Sequence, residues 1–353
     1  MEGALRLRAK PDFSVGILVI LVYMDVNYPW PQEPPAPAPE PLYNKLLQRG
    51  REGKSESWRY FVGLLLSFIG GYALLGQLPL TLLIFYGISQ HYFSLTDLVA
   101  DSSKMLNPET LHVSNNMLIV LLMFMFVAAM LGLWVAVRFI HRRPFMSVIS
   151  GVSNKFDFKR YFFAFGLWTV VCVGQLLISL KLNPEVFVNV FDPVPFFIGA
   201  IILVILLPIQ TGWEELFMRG YFMQMLGVWF KKSIWPWVIT SVAFGLLHVM
   251  NTEVQVNGFL EMMPQYILPG FVFGAMALMD ERLELPMGMH FAHNLIGLLG
   301  ITSPDTSIHA NAVFEIQSLS STAADALYIG GLQIVALLIF YKVYRWDIKK
   351  LYK

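Results

Sequence analysis

FFIGAIILVILLPIQTGWEELFM, running from Phe196 to Met218, is the stretch whose reading decides the fold. Residues 196–209 carry no charge, and the only ionisable groups of the whole run, Glu214 and Glu215, stand side by side near its end. A helix needs about 20 consecutive apolar residues to cross a bilayer, and this run supplies them. Comparable runs recur along the chain at 61–88, 117–140, 161–181, 234–252, 265–280, 286–303 and 325–345. With 196–218 they make eight expected spans, and the predicted fold class is all-α, a polytopic membrane helix bundle. The first run is interrupted by Gly70, Gly71 and Pro79, which predicts a kinked or tilted helix.

Composition agrees. Hydrophobic residues make up 56% of the chain and charged residues 14%, and the mean hydropathy is +0.58. Soluble domains hold roughly 45–50% apolar and about 25% charged residues, so both shifts point to lipid. The formal net charge of +1 leaves no global field to attract nucleic acid. The single cysteine, Cys172, excludes an intramolecular disulfide and a cysteine-based metal cage.

Loop charge tests the span count. Lys45, Arg49, Arg51, Lys54 and Arg59 precede the first span; Arg142, Arg143, Lys155, Lys159 and Arg160 follow the second. Lys231 and Lys232 follow the fourth, and Lys342, Arg345, Lys349, Lys350 and Lys353 close the chain. The alternate links are poor in base: 89–116 has Lys104 alone, and 182–195, 253–264 and 304–324 have none. In the link after span six, Arg282 is outnumbered by Asp280, Glu281 and Glu284. The alternation predicts an integral membrane protein with both termini cytoplasmic, and the expected setting is the plasma membrane of a prokaryote.

Four segments are expected. Residues 1–57 are an N-terminal extension, in which Arg6, Arg8 and Lys10 precede a short apolar stretch (Phe13–Met24) and the linker PWPQEPPAPAPEP (Pro29–Pro41). Met24 is an alternative start. Residues 58–190 form the N-terminal membrane helices, 191–305 the core, and 306–353 a loop and the last helix. No internal repeat of the transporter kind is evident.

Three spans break the apolar pattern, and ionisable residues in such helices face a cavity or a partner. In span four, Glu215 and Arg219 are four apart with the acid first, the favourable order for an ion pair, and Glu214 lies about 100° round the helix. A carboxylate in a desolvated cleft can serve as a general base. In span five, Phe244 and His248 share a face, and Gly245 allows close approach. At the start of span seven, His290 and Asn294 share a face and offer donors for an oxyanion, while His293 could share that face or turn away. Each group alone reads equally well as an ion pair or a helix-packing hydrogen bond. Yet four of the seven histidines fall in loops and the other three fall here, which favours one shared cavity. The span ends would separate His290 from His248 by about 15 Å in depth at 1.5 Å per residue. Tilt must close that gap.

The ordered set Glu214-Glu215-x-x-x-Arg219-Gly220, Phe244-x-x-x-His248 and His290-x-x-x-Asn294 resembles the signature of the CAAX protease and bacteriocin-processing family, over roughly residues 195–303. That family includes the type II CAAX prenyl endopeptidases and abortive-infection-type proteases. The resemblance implies an intramembrane endopeptidase acting on membrane-associated or lipid-modified peptides or proteins. It implies that Glu214 and His248 activate water, that His290 and Asn294 hold the oxyanion, and that Glu215 and Arg219, with Phe244 and His293, support the site or bind substrate. Metal dependence stays open: Glu214, His248 and His290 could supply a two-histidine, one-glutamate zinc set, although the compact H-E-x-x-H motif is absent. No obligatory metal is expected. The alternatives are a proton-coupled transporter using Glu214 and His248 as a relay, and a non-catalytic scaffold on a protease-like fold.

Overall fold

Eight apolar runs become helices, but not of equal length. The computed structural model describes residues 44–100, 106–317 and 322–353; the N-terminal apolar stretch, Met24, the proline-rich linker and Lys104 lie outside the described residues. The principal helices are α1 (Ser57–Ser89), α2 (Asn115–Ile140), α3 (Phe158–Leu182), α4 (Pro193–Trp229), α5 (Ile234–Leu246), α6 (Thr252–Asn257), α7 (Phe259–Asp280), α8 (Glu284–Gly300) and α9 (Ala323–Tyr344). Six of them, α1 to α4, α7 and α9, are long and apolar enough to cross a membrane. All belong to one unit, Leu42–Lys353.

The helix ends have local causes. Ser114 caps α2 by accepting from the Met117 N–H, Asp157 caps α3 through the Lys159 and Arg160 N–H groups, and Asp192 caps α4 with Pro193 in its first turn. The expected interruption of α1 is a π-helical stretch, Leu65–Leu75, and Pro79 sits in the first turn of the α-helix that follows it.

Two expected spans come out shorter. The run 234–252 predicts a helix through Asn251, but α5 stops at Leu246 after 13 residues. The chain then turns through His248 N–H to Gly245 O (3.0 Å) and Asn251 N–H to His248 O (3.0 Å). Hydropathy reads straight through Val249 and Met250, so it cannot see this turn. At 1.5 Å per residue α5 covers about 20 Å, short of the roughly 30 Å of a hydrocarbon core. Helix α8 has 17 residues, and its polar members lower its hydropathy.

The links gather at two ends, as their charge predicts. At the base-rich end Arg160 pairs with Asp280 (2.6 Å), Lys350 with Glu281 (2.9 Å) and Arg282 with Glu284 (3.6 Å). The acids that outnumbered Arg282 are thus held by bases from other links of the same end. Asn44 reaches Leu278 O and Lys350 O, and the Ser233 hydroxyl donates to Lys353 O (2.7 Å). At the other end three short strands form a sheet in the order β1-β3-β2, with β1 Phe187–Asn189, β2 Ile301–Thr302 and β3 Phe314–Ile316. Asn311 donates to Asn116 there (2.8 Å). Helix α8, which starts at Glu284 and leads into β2, therefore joins the two ends despite its length, whereas α5 stops short and the turn after it continues the path.

Within the bundle, α8 packs on α3 and α4, α5 on α7, α7 on α9, and α2 on α1 and α4. Gly220 of α4 lies so close to the Val148 carbonyl that a Cβ would meet its oxygen at 2.4 Å.

Just past α2, the buried His141 ring bridges Lys54 O (2.7 Å) and the Tyr221 hydroxyl (2.7 Å). Burial, reinforced by the Arg143 charge, pushes this imidazole down from 6.5 to about 4. A base lowered in the fold stabilises fully above its unfolded value, and that stability drains away as pH falls from about 6.5 through about 4. Thermal melts of the detergent-solubilised protein over that window should show His141→Gln with a weaker acid dependence than the parent. Parallel curves would remove His141 from the account.

Candidate active site

The polar groups of α4 begin with Gln210, one turn before Glu214. The Gln210 amide donates to Glu214 Oε1 (2.5 Å), and its carbonyl oxygen accepts from the Asn294 amide of α8 (3.1 Å). Immediately after Glu215 the helix widens into a π-helical segment, Leu216–Phe222, which carries Arg219. π-helical turns often mark functional sites, because the extra residue redirects side chains.

The centre is a buried ion pair. Arg219 Nη1 meets Glu215 Oε1 at 2.9 Å, and neither side chain is accessible to solvent. The same Glu215 oxygen accepts from His290 Nδ1, also at 2.9 Å. The Phe244 ring of α5 covers the guanidinium at 4.0 Å, and the Phe273 ring of α7 lies 5.8 Å away. An aromatic face beside a desolvated guanidinium is worth about 2 kcal/mol or more. Glu215 Oε2 and Arg219 Nε and Nη2 have no partner among the described residues.

His290 links the two glutamates. With Nδ1 on Glu215, its Nε2 faces Glu214 Oε2 at 3.5 Å. Because a carboxylate only accepts, the Nδ1 proton belongs to His290. Glu214 keeps 13% of its side chain exposed and His290 keeps 8%, so both border solvent-accessible space while Glu215 does not. Glu214 and His290 thus meet, whereas the expected depth gap is the one between His290 and His248, which no hydrogen bond joins among the described residues.

His248 stands apart. It lies in the turn beyond α5 rather than inside a span, and among the described residues no hydrogen bond or ion pair joins it to Glu214 or His290. Its Nδ1 is held by Phe244 O (2.9 Å), and its ring lies 4.9 Å from that of Phe244, which is 6.1 Å from His290. Irregular backbone at membrane depth is tolerated where it is buried in protein or lines a water-filled cavity. His293 turns away: its Nδ1 accepts from the Trp168 indole of α3 (3.3 Å). Gly245 admits α7, where Ile267 occupies the space a Cβ would need.

Two neighbours escaped the sequence reading. Gln210 had a signal, as an amide one turn from Glu214 in an apolar span. Tyr266 had none: it stacks on His248 (4.3 Å, 13°) and its hydroxyl donates to Glu253 (2.6 Å), which also accepts from Ser307 (2.7 Å). Among the described residues no three His, Cys, Asp or Glu side chains converge as metal ligands. Glu214 and His290 face each other, but His248 has no hydrogen bond or ion pair to either among the described residues.

Comparison with known proteins meets the geometry here. Residues 193–296, from the start of α4 into α8, match the sequence model of the Rce1-like type II CAAX prenyl endopeptidases. These residues form an Rce1-like domain. An Rce1-like match within a bundle of membrane helices supports a membrane endopeptidase in general. The chain is also 29% identical over 306 residues to the uncharacterized protein YyaK of Bacillus subtilis (strain 168), covering 85% of this chain and 95% of that one. No solved structure matches.

Removing one partner of a buried ion pair strands the other, at a cost of about 3–5 kcal/mol. Arg219→Gln should lower the melting temperature in detergent sharply, and Glu215→Gln combined with it should recover part of the loss. An unchanged melt for Arg219→Gln would show that the pair does not hold the Rce1-like domain together.

Proposed function

We infer that the chain is an intramembrane endopeptidase in which Glu214 is the general base for water, with no obligatory metal. One observation carries this reading: Glu214 and His290, from separate helices, face each other at 3.5 Å at the edge of accessible space, while the buried Glu215–Arg219 pair holds the other nitrogen of His290.

The steps follow from donors and acceptors. Water attacks the scissile carbonyl carbon and passes a proton to Glu214. The oxygen of the tetrahedral intermediate accepts from His290, protonated at both nitrogens, and from the Asn294 amide, which leaves Gln210 to do so. The C–N bond breaks as the proton moves from Glu214 to the leaving nitrogen, giving a carboxylic acid and an amine, between which the remaining acidic proton then passes. His248, with Nδ1–H on the Phe244 carbonyl, offers the lone pair of Nε2 to the attacking water. Glu215 and Arg219 position His290 without touching the substrate. The positive-inside pattern supports placing the base-rich end in the cytoplasm. The family match supports substrates that are membrane-associated or lipid-modified.

Purified protein incubated with a peptide library that includes farnesylated C-terminal sequences tests this. General-base catalysis contributes about 10²–10⁴-fold, so Glu214→Gln should lose that much cleavage with its melting temperature preserved. Asn294→Ala should lose about 10²-fold or more, and EDTA should leave the rate unchanged. Full activity in Glu214→Gln would remove its role as base. EDTA-sensitive cleavage restored by zinc would replace the mechanism with a metal-dependent one.

A further inference from the structure

Away from the active site, α7 and α9 diverge into a groove of about 530 Å³. Its walls include Trp237 of α5, Leu268 and Val272 of α7, and Leu338 of α9, and the 3-10 turn Ile348–Leu351 lies across it through Ile348 and Leu351. Gly330 and Gly331 of α9 both line the groove: a Cβ on Gly330 would meet Leu268 of α7 at 3.1 Å, and one on Gly331 would meet nothing within 4 Å. The polar groups of the wall are few, and the Trp237 indole already donates to Phe271 O (2.8 Å). The volume falls within the roughly 300–1,000 Å³ of small-ligand pockets.

One end of the groove is charged. Ser233 binds Lys353 O, which brings the start of α5 against the 3-10 turn. Lys231 and Lys232 precede Ser233 and are exposed, and exposed Lys349 stands between the two residues that line the groove. The nearby carboxylates are engaged: Glu281 holds Lys350 (2.9 Å), and Asp347 accepts from the Lys349 N–H (2.9 Å). Trp235, more than half exposed, marks an interfacial level, where tryptophans concentrate. A hydrocarbon slot that opens at interfacial depth onto lysines with no ion pair among the described residues matches one chemistry, an acyl chain joined to an anionic headgroup.

We propose that this groove binds one acyl chain of an anionic phospholipid, whose phosphate rests on Lys231, Lys232 and Lys349. The site is separate from Glu214 and His290 and holds whether or not those residues are catalytic.

Trp237 is a built-in reporter, isolated as the fluorescence difference between the parent and Trp237→Phe in phosphatidylcholine nanodiscs. With three lysines at an anionic surface, brominated phosphatidylglycerol should quench that signal at about a hundredfold lower mole fraction than brominated phosphatidylcholine. Replacing Lys231, Lys232 and Lys349 together by Gln should abolish the preference. Gly331→Phe, whose Cβ meets nothing within 4 Å and whose ring adds bulk to the groove wall, should protect Trp237 from both lipids, with melting curves confirming that each variant folds. Equal quenching by the two lipids, or a preference that survives the lysine changes, would overturn the site. So would displacement by a farnesylated cysteine peptide where excess phosphatidylglycerol displaces nothing, which would give the groove to a substrate's lipid tail.

Discussion

A charge buried in a hydrocarbon-clad bundle must bring its partner with it. Glu215 and Arg219, both sealed from solvent, meet this demand within one helix, and their neighbours organise around the result. One oxygen of Glu215 serves both Arg219 and His290, so the pair that neutralises α4 also sets the rotation of α8. Phe244 closes the guanidinium from α5. Helices in lipid gain little from hydrophobic association, because the surrounding chains are as apolar as their own side chains. A polar knot shared by three helices is then a principal determinant of their register.

The irregular backbone of the core sits around that knot. The π-helical turn after Glu215 and the early end of α5 are departures that lipid would penalise if it touched them, since unsatisfied backbone groups cost several kcal/mol there. Here they flank the groups that border solvent-accessible space. The helix that stops short leaves the half-buried His248 on a turn, stacked on Tyr266, whose hydroxyl ties it through Glu253 to the loop holding Ser307. His248 is thus connected to the loop of Ser307 through a short chain of Tyr266 and Glu253.

The base-rich end uses its cations in two ways. Arg160 and Lys350 are spent internally on Asp280 and Glu281, which fastens the second link and the C-terminal turn to the end of α7. Lys231, Lys232 and Lys349 face outward beside an apolar groove. Folding and membrane contact draw on the same positive-inside excess, divided by which lysines find a carboxylate within the protein.

The bundle, its alternating ends and the family-like signature were legible in the sequence, because hydropathy, loop charge and short spacings are properties of the chain in one dimension. Glu215 and Arg219 could be paired in advance, since four residues bring side chains together on any helix-like turn. The separation of His293 from Asn294, the mediation of Gln210, the exit of His248 from its helix and the stack of Tyr266 on it were decided by tertiary structure alone. A side chain's direction at a bend, and the neighbour it meets across a helix boundary, depend on how distant segments pack, and no local pattern records that packing.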